Sequence, residues 1–159
     1  MTPAGITILL PERILVVHTL LLDLNGTVAI DGHLLPGVAE RVQRLSAQLR
    51  VIVASGDTFG TAEAVARQLD VERRQLEPTD QGSQKAALVE ELGAAGAVVI
   101  GNGANDAEAL RAAALGVCVI GPEGAARDAM LAADVMVADP LAALDLLLEP
   151  LRLVGTLRR

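Results

Sequence analysis

The chain has 159 residues, 52% hydrophobic and 21% charged, enough apolar material for one folded domain and too much for a disordered chain. A net charge of −7 argues against nucleic acid as a partner, and the single aromatic residue, Phe59, excludes recognition by base stacking. The one cysteine, Cys118, excludes a disulfide framework and a cysteine-based metal site, and its apolar segment Gly-Val-Cys-Val-Ile reads as a packed thiol in a strand.

In chain order, residues 5–10 and 14–24 are apolar runs split by Pro11-Glu12-Arg13. They predict a short hairpin leading into a buried strand. Neither run reaches the roughly 18 residues of a membrane span and no basic segment precedes them, so no membrane partner and a cytoplasmic location are expected. Thr27 to Leu35 reads as a flap with a hairpin turn at Asp31-Gly32. Pro36 opens an amphipathic helix to about Leu49, with Val38, Val42, Leu45 and Leu49 on one face. Strand and helix then alternate: strands at 51–54, 71–76 (a weak edge), 97–100, 117–120 and 135–137, and helices at 58–69, 83–92, 105–114, 125–132 and 140–148. Short apolar strands between helices predict a doubly wound α/β fold with a mostly parallel sheet. Residues 1–159 are expected to form one domain, with 1–18 as a hairpin extension and 19–150 as the core.

Right-handed crossovers place every strand C-terminus on one edge, where ligand sites of such folds lie. The first core strand ends in Asp23-Leu24-Asn25-Gly26-Thr27 and the second in Ser55-Gly56-Asp57-Thr58. Another ends in Gly101-Asn102-Gly103-Ala104-Asn105-Asp106, and Lys85, the only lysine, stands on the helix before it. Gly, Asp and Asn also make ordinary turns and caps. A carboxylate, a hydroxyl, an ammonium and a second acidic cluster gathered on one edge in this order point beyond turns and caps to a functional site.

These segments resemble the haloacid dehalogenase superfamily, and in particular the phosphorylation domain of P-type ATPases and the small soluble proteins that share it. Ser55-Gly56-Asp57-Thr58 resembles the TGD segment, and Lys85 with Gly101-Asn102-Gly103-Ala104-Asn105-Asp106 resembles the lysine and the GDGxND hinge. The resemblance runs from about Leu21 to Leu148. It implies the HAD (Rossmann-like) strand order 5-4-1-2-3. It also implies that Asp23 is the nucleophile forming an aspartyl phosphate, and that Ser55, Gly56 and Lys85 bind the phosphoryl group. Mg²⁺ would be held by Asp23, the backbone carbonyl of Asn25, Asn102 and Asp106. The implied activity is a Mg²⁺-dependent phosphatase or phosphotransferase acting on a small phosphorylated molecule.

Two positions depart from the pattern. Asn25 stands where family phosphatases have the acid that protonates the leaving group, a change that lowers rate by roughly 10²–10⁴. Asn102 stands where the usual metal-ligating Asp is found. The alternative is therefore a catalytically weak phosphate-binding or regulatory module. The 23 residues from Val28 to Arg50 and the 29 from Gly56 to Gln84 hold no cap domain. An open site and an apolar N-terminal hairpin predict a homo-oligomer, dimer or tetramer, with the hairpin or the Asp31-Gly32-His33 flap against a neighbour. Asp57 is read as a helix N-terminal acid beside the site, His33 as a solvated flap residue and His18 as structural. Arg127, Arg152, Arg158 and Arg159 are read as surface side chains.

Overall fold

The computed structural model describes residues 2–57 and 60–159; Thr58 and Phe59, where the second helix is expected to begin, lie outside them. A six-stranded sheet organises the chain: β3 (Thr19–Leu22), β6 (Arg50–Ser55), β7 (Glu72–Gln75), β8 (Ala97–Gly101), β9 (Leu115–Val119) and β10 (Val135–Val137). Their order is β10-β9-β8-β3-β6-β7 and every pairing is parallel. This is the expected 5-4-1-2-3 order with β10 added beyond the fifth strand. The central strands β3, β8 and β9 are buried at every position, as a sheet covered on both faces requires.

Alternate residues of each strand feed two cores. Leu20, Leu22, Val53, Val98 and Ile100 pack under α1 (Val38–Ser46), α2 (Ala62–Leu69), α6 (Pro140–Leu148) and α7 (Leu151–Leu157). Leu21, Ile52, Val99 and Cys118 pack under α3 (Gln81–Leu92), α4 (Ala107–Ala112) and α5 (Arg127–Ala132). Cys118 is buried there, and burial pushes its thiol pKa up, away from reactivity. The helix α6 begins as its sequence predicts: Pro140 is the first helical residue, and the Asp139 carboxylate accepts from the Leu141 N–H at 2.8 Å. Helix α7 has no counterpart in the sequence reading; Leu153 is its only fully buried side chain, so it carries little periodic signal.

The apolar run 14–24 is two strands. β2 (Ile14–Val17) pairs antiparallel with β1 (Ile6–Leu9), and the chain then turns at His18 into β3. The His18 N–H donates to the Gly96 carbonyl (2.8 Å) and its own carbonyl accepts from Arg50 N–H (2.9 Å), stitching the break to the starts of β8 and β6. Gly5 N–H bonds the Gln48 carbonyl and Arg13 reaches the Ala114 carbonyl at 3.3 Å. The hairpin therefore closes the edge where the sheet strands begin. Ile6, Ile8, Leu15 and Val17 face inward, while Leu9, Ile14 and Val16 are exposed.

Candidate active site

The opposite edge collects the polar residues. After β3 the Leu24 carbonyl accepts N–H bonds from Thr27, Val28 and Ala29, which bends the chain sharply below Asp23. The turn leads into the flap, β4 (Ala29–Ile30) and β5 (His33–Leu34), with Asp31 and Gly32 at φ 52° and 81°, as a tight hairpin requires. Asn25 turns its carboxamide Oδ1 to the Gly32 N–H at 3.0 Å, so this side chain ties the flap to the site. His33 is exposed and does not line the cleft; Arg127, Arg152, Arg158 and Arg159 do not line it either.

Lys85 lies at the centre. It is 2% exposed, and its Nζ donates to Asp23 Oδ1 at 2.8 Å and to Asp106 Oδ1 at 2.6 Å. Burial opposes its charge, but the two carboxylates outweigh burial and raise its pKa. Asp23 is pushed up to about 6, first by burial and then by the nearby Asp106 charge, with Lys85 opposing both. At neutral pH it is still mostly ionised.

Asp106 is as buried as Lys85. Its Oδ2 accepts the N–H groups of Asn102 (3.0 Å) and Gly103 (2.9 Å), so it fixes the turn after β8 and holds the lysine. Its two oxygens accept from Lys85 and from the 102–103 turn, and Asp106, which the sequence reading places among the cation ligands, is not among the residues that line the cleft. Gly101 makes room for this: a Cβ there would lie 2.5 Å from Asp106 Cγ.

Ser55, at the end of β6, accepts the Asp57 N–H on its Oγ at 3.0 Å and faces the cleft. Asp57 sits at φ 58°, and its Oδ1 accepts the Ala62 N–H at 2.7 Å. It thus caps α2 from five residues upstream and fixes the loop that carries Ser55 and Gly56.

The cleft has a volume of about 330 Å³ and is lined by Asp23, Asn25, Ser55, Gly56, Gln81, Asn102, Gly103, Asn105 and Glu123. Three contributors escape the sequence reading. The Thr27 hydroxyl lies 3.3 Å from Asp23 Oδ2 and 3.2 Å from Asn102 Oδ1 and bridges the two. Gln81 accepts from Asn105 Nδ2 at 3.0 Å and packs over Gly56. It stands four residues before Lys85, the spacing that puts two side chains on one helix face. Glu123 lies in the loop after β9, a strand C-terminus like the others.

These residues present hard oxygen donors of the kind that suits a small divalent cation. Asp23 Oδ2 and Asn102 Oδ1 share Thr27, and Asn25 lines the same cleft. Among the described residues no three His, Cys, Asp or Glu side chains converge as a metal cluster; the side-chain oxygens that line the cleft belong to carboxylates, amides and a hydroxyl.

A model of the haloacid dehalogenase-like hydrolase family matches residues 6–114. A copper-transporting P-type ATPase of Rhizobium leguminosarum bv. viciae is 37% identical over 99 residues, which are 60% of this chain and 12% of the transporter. The chain spans only about an eighth of that relative's length. The structure of 3-deoxy-D-manno-octulosonate 8-phosphate phosphatase from Moraxella catarrhalis, in complex with a magnesium ion, a phosphate ion and a KDO molecule, superposes with a TM-score of 0.64 at 16% identity. The match covers 88% of this chain and 90% of the phosphatase. A zinc-transporting PIB-type ATPase in its E2.Pi state gives a TM-score of 0.59 at 27% identity over 77% of this chain and 20% of the transporter. No helix among the described residues is long and apolar enough to cross a membrane.

Proposed function

Because the chain belongs to the haloacid dehalogenase-like hydrolases, we propose that it is a Mg²⁺-dependent phosphatase or phosphotransferase that forms an aspartyl phosphate on Asp23. The observation that carries this reading is the buried Asp23–Lys85–Asp106 arrangement at the floor of a polar cleft. Holding two carboxylates around one ammonium out of water is costly for a fold that needs only stability. The substrate is a small phosphorylated molecule that enters between Ser55, Gly56, Gln81 and Glu123.

In this reading Asp23 attacks phosphorus. One P–O bond forms to its carboxylate as the P–O bond to the leaving group breaks. Lys85 balances charge on the carboxylate and the phosphoryl group, and Ser55 and the Gly56 backbone orient the phosphoryl oxygens. Asp23, the Asn25 backbone carbonyl and Asn102 would hold the cation, which when bound supplies charge neutralisation on the phosphoryl oxygens. Asn25 cannot deliver a proton, so the leaving group takes one from water. Water later attacks phosphorus, the P–O bond to Asp23 breaks, and inorganic phosphate leaves with the carboxylate regenerated.

A second reading, a slow phosphate-binding or regulatory module, is favoured by one observation: the Asn25 carboxamide is committed to the flap, which leaves no acid at that position. A thermal-shift titration with Mg²⁺ and beryllofluoride, paired with a screen of phosphate esters, separates the two. The proposed enzyme is stabilised by the phosphate mimic, loses that stabilisation as Asp23→Ala, and turns over at least one ester. Equal stabilisation of both proteins would remove Asp23 from the role.

A further inference from the structure

Asn102 is a neutral residue in a place that calls for charge, and its bonds show what the amide does. Its Nδ2 donates to the Gly124 carbonyl at 3.2 Å, and its own backbone carbonyl accepts the Ala126 N–H at 2.8 Å. A carboxylate at position 102 could not donate to Gly124. These two bonds hold the loop 121–126 against the cleft, and Glu123 is the residue of that loop that lines it. Gly26, at φ 80°, leaves the necessary space. A Cβ there would come within 2.5 Å of Asn102 Nδ2 and 2.6 Å of Glu123 Oε2, so the amide and the carboxylate meet above Gly26, no more than about 5 Å apart. On its other side Asn102 Oδ1 shares the Thr27 hydroxyl with Asp23.

We propose that Glu123 is the second carboxylate of the divalent-cation site and carries the negative charge that Asn102 lacks. The inference rests on the reading of the Asp23 cleft as a cation site. Affinity for a hard divalent cation follows the number of charged oxygens around it, and Mg²⁺ keeps several of its waters, so a rim carboxylate can act on the ion or on those waters. In this arrangement the amide at position 102 tethers the loop that delivers the charge. The site keeps two carboxylates, Asp23 and Glu123, with one relocated from the turn after β8 to the loop after β9.

The test is calorimetric titration of the whole chain with Mg²⁺, repeated with Mn²⁺ by electron paramagnetic resonance, with folding checked by circular dichroism. Glu123→Gln weakens binding about tenfold or more, Asp23→Asn weakens it further, and Asn102→Asp placed on Glu123→Gln restores it to within about threefold of wild type. Asp128→Asn, an exposed acid on α5, leaves the affinity unchanged. Wild-type affinity in Glu123→Gln, equal weakening by Asp128→Asn, or no recovery in the double variant overturns the role of Glu123. If Asp23→Asn alone still loses the cation in those cases, the reading of the cleft survives. A wild-type chain that binds neither ion, or an Asp23→Asn variant that binds as wild type, overturns both.

Discussion

The two edges of the central sheet solve opposite problems. Where the strands begin, the hairpin lays Ile6, Ile8, Leu15 and Val17 across the sheet, and backbone bonds at Gly5, His18, Gly96 and Arg50 seal the join. Where the strands end, the chain buries Lys85 between Asp23 and Asp106 and leaves a cleft of about 330 Å³ open above them. The first edge uses burial of apolar area, which is non-directional and stabilising. The second holds a net negative charge away from water, which opposes stability and attracts cations. The difference teaches that stability and proposed function are separated along the strand axis of one small domain.

The comparison breaks most completely at Asp23. Asp23→Asn should lower phosphate-ester turnover by at least about 10³-fold, because the nucleophile is lost. It should at the same time raise stability. The Asp23 pKa is about 6 in the folded chain against 3.8 unfolded, so between those values the native state binds more protons. That group's contribution therefore becomes less favourable as pH rises from 4 to 6 and stays so at 7. Removing the carboxylate should stabilise the metal-free chain by on the order of 2 kcal/mol at pH 7, an advantage that disappears near pH 4. Denaturant melts at the two pH values decide this; an Asp23→Asn variant less stable at both would contradict the sign.

Lys85→Met tests the same edge from the other side. It leaves two buried carboxylates without their cation and should cost about 3–5 kcal/mol by chemical denaturation at pH 7. A smaller effect, on the order of tenfold in rate, is expected of Asn25→Asp. One carboxylate oxygen can keep the Gly32 N–H, and the other offers the proton that the leaving group lacks. No change in turnover of an unactivated monoester, with Asp23 still essential, would mean that protonation does not limit the reaction.

The smallest change in stability is predicted at the hairpin edge. Leu9→Lys with Ile14→Lys alters two exposed, cross-strand paired residues and should shift stability by no more than about 1 kcal/mol. We propose that this bare apolar face joins copies of the chain, so the same double variant should convert a dimer or tetramer into a monomer by light scattering. A wild-type chain that is already monomeric near 16.4 kDa at micromolar concentration would remove the proposal.

Much of this was legible in the sequence, for reasons that are local. Continuous apolar runs such as Val51-Ile52-Val53-Ala54 and Ala97-Val98-Val99-Ile100 declare parallel strands because both faces of such a strand are buried. Helix α6 announced itself through Pro140, and Asp31-Gly32 announced the flap turn, because helix starts and tight turns depend on a few adjacent residues. The strand ends then named Asp23, Ser55 and Asn102, since connectivity alone brings them to one edge.

What only the tertiary structure decided are the partnerships across that edge. The sequence reading ends the hairpin extension at His18, but the partners that hold the chain there, Gly96 and Arg50, lie far along the chain. Asp106 reads from its motif as a cation ligand, yet packing turns both of its oxygens to Lys85 and the 102–103 turn. Asn102 reads as a loss of charge, and only the fold shows its bond to Gly124 and the approach of Glu123 to Gly26 beside it. Periodicity and turn chemistry are written residue by residue. Which hydrogen-bond donor finds which acceptor among groups more than 20 positions apart depends on the assembled sheet.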